Sequence, residues 1–207
     1  MQASATEDGS AFAPGPSRKK SRKSDEIVQA VIDICRNKGF SHITIKDIAK
    51  QVGMTRSLFY HYFPDKETLA QAMVDKSVNQ VLARMEEWNR KRTPGDVKGA
   101  LETVVQVARS VIADNSPLRQ QMIHSGNGGL YTRFVDQVST AIADYFCRTA
   151  VQDFARHHQD QLPIDHVREM LIVLISGFIT LLRVQPDTSD ETFIRMAAQT
   201  LHLEPYL

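Results

Sequence analysis

Residues Thr44 to Phe63 read TIKDIAKQVGMTRSLFYHYF, and this stretch constrains the fold more than any other part of the chain. It holds two short helical patterns, each opened by a threonine that can accept a hydrogen bond from the backbone of its own first turn. Ile45, Ile48 and Val52 turn one side of the first helix toward a core, and Ala49 is small enough for a second helix to cross closely. Gly53 supplies the turn between them, Met54 fills the corner, and Phe59 with Phe63 anchors the inner side of the second helix. Such a pair cannot bury its apolar faces alone. It needs a third helix, and Ile27, Ala30, Val31, Ile34 and Cys35 recur at the helical period just upstream, after a capping Ser24 and before Gly39 and Phe40.

Downstream the same period continues. Leu69, Met73, Val81, Met85 and Trp88 mark a helix from Lys66 to about Arg92, roughly 40 Å long at about 1.5 Å per residue. Thr93-Pro94-Gly95-Asp96 opens the next, with Val97, Leu101, Val104, Val105, Ala108 and Ile112 on one face. Ser116-Pro117 starts a shorter one, which Gly126-Asn127-Gly128-Gly129 breaks. Phe134, Val138, Ala141, Ile142, Tyr145, Phe146 and Phe154 predict one helix running to about Arg156. Pro163 begins another, and the capping box Thr188-x-x-Glu191 opens the last, with Phe193, Ala197 and Leu201 on one side. The expectation is an all-α chain of about nine helices without strands. An arm (1–23) precedes a three-helix helix-turn-helix head (24–66), followed by a helical body (67–207).

Bulk properties narrow the function. With 42% apolar and 24% charged residues the chain has the composition of an ordinary globular protein. Residues 1–66 carry eleven Lys or Arg against seven Asp or Glu, and 67–207 carry fourteen against seventeen, so a head of +4 sits on a body of −3. Part of that positive charge is the run Arg18-Lys19-Lys20-Ser21-Arg22-Lys23, in an arm too polar and too rich in Ser, Gly and Pro for ordering to be expected. Such an arm can simply solubilise, or it can follow phosphates or enter a minor groove. Cys35 and Cys147 lie far apart in helical patterns, which suggests free thiols in a reducing cytosol. Met170 to Leu182 is a largely apolar stretch of thirteen residues ended by Arg183, too short to span a bilayer, and no export signal is legible, so the expected location is cytoplasmic with no membrane partner.

The outward arc of the second short helix holds Arg56, Ser57, Leu58, Tyr60, His61 and Tyr62. Phenol and imidazole groups can donate to phosphate oxygens, Arg56 can pair with guanine in a major groove, and Leu58 can touch a thymine methyl. At this point the chain resembles the tetracycline-repressor-like (TetR) family, whose head ends in Tyr-x-His/Tyr-Phe-x-x-Lys. Here the run is Tyr60-His61-Tyr62-Phe63-Pro64-Asp65-Lys66, and the likeness extends to Phe40, Thr44, Asp47-Ile48-Ala49 and Gly53, over about residues 27 to 69. The resemblance implies that Thr44, Thr55, Tyr60, Tyr62 and Lys66 hold phosphates of double-stranded DNA, while Arg56, Ser57, Leu58 and His61 face base edges. Ser57 stands where the family often has Gly, and Leu58 where it is often polar, so base preference is not inherited from the likeness.

For the body, the resemblance implies a homodimer through the last two helices, a palindromic operator, and a small-molecule effector of unknown identity that tilts the long helix. The helix over Met170 to Leu182 is apolar on all sides and must be covered on all sides. Ile172, Ile175, Ser176 and Ile179, with Phe193 and Ala197, are the expected dimer seam, and Leu171, Leu174, Phe178 and Leu181 the core-facing side, or the reverse. Candidate effector residues are Trp88, Arg109, Met122, His124, Tyr131, Phe134 and Phe178. His157-His158, with Asp160 and His166 nearby, reads as a solvated helix end rather than a metal site, and neither metal nor cofactor is called for. No Gly-rich phosphate loop, paired cysteines, HExxH or Gly-x-Ser-x-Gly is legible, which disfavours an enzyme. A ligand-responsive repressor is the principal reading. Control by a protein partner, or activation instead of repression, is the alternative.

Overall fold

A computed structural model describes residues 16–38, 40–113, 128–158 and 162–207. Among them the regular structure is entirely helical: α1 (Pro16–Lys38), α2 (Ile45–Gln51), α3 (Arg56–Tyr62), α4 (Lys66–Lys91), α5 (Val97–Ala113), α6 (Gly128–Arg148), α7 (Ala150–His158), α8 (Val167–Val184) and α9 (Asp190–Leu201), with 3-10 turns at Phe40–His42 and Glu204–Tyr206.

Several boundaries differ from those expected. Helix α1 begins at Pro16, so the basic run up to Lys23 is helical and not part of an arm. Lys and Arg are good helix formers, proline suits a first helical position, and Glu26 pairs with Lys23 at 2.9 Å and Arg22 at 3.6 Å on the next turn. Gly39 and the helix expected after Ser116 lie outside the described residues. The single helix expected from about Phe134 to Arg156 is broken at Thr149, whose hydroxyl donates to the Tyr145 carbonyl at 2.8 Å. Asp96, not Thr93, caps α5, accepting from the Gly99 N–H at 2.9 Å after a turn closed by Asp96 N–H to Thr93 carbonyl. Helix α8 starts at Val167 rather than Pro163, and α9 is capped by Ser189 rather than Thr188.

The head is α1 to α3 closed by the first turns of α4. Ile27, Val31, Ile48, Phe59 and Leu69 are fully buried where these helices meet. The same core continues without a break along α4 through Met73, Val74, Val78 and Met85 to Phe134, Val138 and Ile142 of α6. The long helix, 26 residues, therefore joins head and body through packed side chains. In the body α6 packs on both α4 and α8, and α5 on α4, α8 and α9.

Ser139 of α6 is fully buried and its hydroxyl has no hydrogen-bond partner among the described residues. A buried hydroxyl without a partner costs free energy that a methyl group does not. Ser139→Ala is expected to raise unfolding free energy by about 1 kcal/mol in a urea titration. A clear loss would mean that the hydroxyl is partnered in solution.

Candidate nucleic-acid interface and body cavity

The reading element is built from its caps. The Thr44 side chain accepts from the Asp47 N–H at 3.2 Å while the Asp47 carboxylate accepts from the Thr44 N–H at 3.1 Å, a reciprocal box at the start of α2. Gly53 takes a left-handed φ of 64°, where a side chain would be strained, and the Met54 N–H then bonds the Ala49 carbonyl at 2.9 Å. Thr55 caps α3 by accepting from the Leu58 N–H at 3.2 Å. Asp65 caps α4, and its carboxylate is held below the ordinary range by the backbone N–H of Thr68, then by that residue's hydroxyl. Three caps and one glycine thus fix the angles at which α2, α3 and α4 meet.

Phe59 is fully buried, packing its ring edge against Tyr60 and tilted against Phe63, each at 5.9 Å between centroids. Fixing that one side of α3 leaves Arg56, Ser57, Leu58, Tyr60 and His61 exposed, with Thr55 exposed at the N-terminal end. Tyr62 is half-buried, set edge-on to the His61 ring and packed on the head core. Thr44 is exposed, but its hydroxyl also donates to Asp47 at 2.8 Å, so the cap already occupies it. Lys66 is turned inward: its ammonium donates to the Ser41 carbonyl at 3.2 Å and lies 4.7 Å from the centre of the Phe40 ring. Burial pulls its pKa below the usual lysine range. Its first role is to tie α4 to the turn after α1.

The body encloses an apolar cavity of about 240 Å³ between α4, α5, α6 and α8. Of the expected effector residues, Trp88, Tyr131, Phe134 and Phe178 line it. Met122 and His124 lie outside the described residues. Arg109 does not line it; its guanidinium is engaged by Asp190 and by the carbonyls of Thr188 and Pro186, the last at 3.1 Å, and so holds the α8–α9 connection. These partners are about eighty residues away in sequence, beyond the reach of any local pattern.

Sequence reasoning missed four charged wall residues, Arg92, Asp96, Asp153 and Arg183. Arg92 Nη1 pairs with Asp153 at 2.6 Å, and the Gly95 N–H donates to the same carboxylate at 3.1 Å. Arg183 was visible in part, as the cation that ends the apolar run of α8. Cys35 is no candidate nucleophile, since burial pushes its thiol up to about 11.

Two residues expected at the dimer seam are turned inward. Phe193 and Ala197 are buried within this chain, Phe193 against Phe178 and Leu182, so neither can meet a second copy. Ile175 and Ile179 line the cavity and pack on the core, and Ile172 packs beneath α9 with Leu171 and Leu201. Ser176 is half-buried at the margin. The outward stripe of α8 is instead Val173, Gly177, Thr180 and Val184, and on α9 the large apolar residue left exposed is Met196. An all-round apolar helix carries no periodicity from which its faces can be told apart.

Residues 27–73 match the model of the bacterial regulatory proteins, tetR family. The chain is 25% identical over 97 residues to a nucleoid occlusion factor, SlmA, of Actinobacillus pleuropneumoniae, covering 45% of this chain and 48% of that protein. It is 27% identical over 84 residues to a fatty acid metabolism regulator protein of Bacillus subtilis, covering 41% and 43%. The chain thus spans about half the length of the curated relatives it matches. A solved transcriptional regulator of Cytophaga hutchinsonii shares the fold over most of both chains, 87% of this one and 97% of that one, with a TM-score of 0.57 at 19% identity.

Proposed function

Because this chain belongs, through its head, to the tetR family of bacterial regulatory proteins, we propose that it is a sequence-specific DNA-binding transcriptional regulator, a cytoplasmic repressor released from its operator by a small molecule. The observation that carries the reading is the face of α3. Phe59 and Phe63 bury one side completely, so Arg56, Ser57, Leu58, Tyr60 and His61 project together from a short rod held on the surface. A rod of this kind fits the major groove, its N-terminal residues toward base edges and its tyrosine hydroxyl toward phosphate. Thr55 can still donate its hydroxyl to phosphate while its oxygen caps the helix. For Thr44 and Lys66 a phosphate contact requires sharing groups that already have local partners, and Tyr62 is half-buried with its ring packed on the head core.

Six large apolar side chains are exposed among the described residues, and their distribution supports a dimer: Leu58 and Tyr60 lie on α3, Val173, Val184 and Met196 on α8 and α9, and Leu207 at the end of the chain. A second copy covering the α8–α9 stripe by two-fold symmetry places two α3 helices on one duplex, which calls for an inverted-repeat operator. Val173→Glu is expected to weaken the dimer at least tenfold by sedimentation without unfolding the protomer, because Val173 is exposed in the single chain. Unchanged sedimentation would remove this stripe from the seam.

Fluorescence anisotropy on labelled duplexes tests the reading. Arg56→Ala is expected to cost about 1 to 3 kcal/mol on a preferred duplex and little on an unrelated one, whereas Tyr60→Phe weakens both alike. If neither change alters affinity, α3 is not the reading helix. Effector control is supported by the cavity and by Arg133 of α6, which pairs with Glu67 at 2.6 Å and reaches Gln71 at 3.5 Å, both in the first turns of α4 behind the reading head. A ligand shifts operator affinity only if it binds the two spacings of the heads unequally.

A further inference from the structure

The cavity has two unlike ends. Arg92 stands at the C-terminal end of α4, far from the head, and with Asp153 and Gly95 forms one end. Tyr131 lies two residues from Arg133, which touches the first turns of α4, so Tyr131 marks the end nearest the head. Arg183 joins it there, its guanidinium 5.2 Å from the centre of the Tyr131 ring. Along α8 the lining runs from Leu171 to Arg183, about 18 Å at about 1.5 Å per residue. The space is long and almost wholly hydrocarbon.

The polar groups on the wall are not equivalent. At the far end Arg92 and Asp153 neutralise each other, Asp96 accepts from Gly99, and His158 is bonded to the Phe154 carbonyl and stacked on its ring. Midway the Trp88 indole N–H donates to Thr103 at 2.9 Å. Among the described residues, the buried Tyr131 hydroxyl at the near end has no hydrogen-bond partner, and the exposed Arg183 guanidinium pairs with no carboxylate. A buried hydroxyl donor without a partner among the described residues, beside an exposed guanidinium at one end of an apolar channel, suits an acceptor that brings negative charge.

We propose that the cavity takes an elongated amphiphile with a carboxylate head, its chain lying along α4 and α8 and its head held between the Arg183 guanidinium and the Tyr131 hydroxyl. This rests on the reading of the body as an effector domain. It goes further by assigning the effector's chemical class and orientation: the charged end sits beside the α6–α4 contact that adjoins the reading head, where binding has the shortest path to it.

The test uses the full-length protein, the neutral dye N-phenyl-1-naphthylamine in the cavity, and three competitors of equal chain length: dodecanoate, dodecan-1-ol and dodecyltrimethylammonium. Dodecanoate should displace the dye at roughly tenfold lower concentration than the alcohol, and the cation should compete least. Arg183→Gln, at an exposed position where folding is not at risk, should abolish the preference of acid over alcohol. Tyr131→Phe should weaken dodecanoate several-fold. Equal displacement by acid and alcohol, a preference that survives Arg183→Gln, or no displacement by any of the three would overturn the proposal. Anisotropy on a bound duplex separates the two readings. Dodecanoate that binds without changing duplex affinity leaves this assignment standing and overturns effector control, whereas release by the alcohol or the cation but not by the acid does the opposite.

Discussion

Phe59→Ala is expected to destabilise the protein by about 3 to 5 kcal/mol, the largest effect of any single change in the head. Its ring is fully buried, touches Phe63 and Tyr60, and is the buried residue of α3 in the core shared with α1, α2 and α4. Truncation removes the transfer free energy of the ring and leaves a cavity under a helix of only seven residues, too short to persist without packing. Native proteins are stable by roughly 5 to 15 kcal/mol, so such a loss takes much of what is available. Urea unfolding of the full chain measures it, and duplex binding should fall in parallel. A loss below about 1 kcal/mol would mean that α3 is anchored elsewhere.

Asp153→Asn should cost about 3 kcal/mol, because it leaves the Arg92 guanidinium without its counter-charge where its side chain is only 9% exposed. The change also alters the response to acid. Burial alone pushes the Asp153 carboxyl upward, but the Arg92 hydrogen bond, the Gly95 N–H and the charges of Arg92 and His157 outweigh it and hold the pKa below the ordinary carboxylate value. A group depressed in the folded state stabilises fully above its unfolded pKa, near 3.9 for aspartate, and that stabilisation disappears as pH falls through the lower folded value. The native protein should therefore lose stability on acidification below about pH 4 by an increment that the Asn variant lacks. Parallel acid titrations of the two proteins with the same slope would show that the pair contributes nothing.

The head was legible because its determinants are local. Thr44 and Asp47 are three residues apart, Thr55 and Leu58 likewise, and Phe59 and Phe63 are one turn apart, so spacing alone predicted the caps, the turn at Gly53 and the buried side of α3. Legibility fell wherever a partner came from far along the chain. Lys66 has its ammonium on the Ser41 carbonyl, and Arg109 has its guanidinium on the α8–α9 connection; both look like ligand-binding cations until their partners from elsewhere in the chain are in place. The faces of α8 were unreadable for a different reason: with apolar residues on every side, only the positions of α6 and the cavity decide that Ile175 and Ile179 point in and Val173 and Val184 point out. At Thr149 the backbone N–H turns to the Phe146 carbonyl, three residues back, a local tightening that no glycine or proline in the sequence announces.

The central claim is that the outer face of α3 reads base edges, and selection from a pool of random duplexes tests it most directly. The native protein should enrich a two-fold symmetric sequence, and Arg56→Ala should enrich the same sequence with discrimination lost at one symmetric pair of positions. Recovery of no common sequence by the native protein at modest salt, or an identical sequence with either protein, would contradict it.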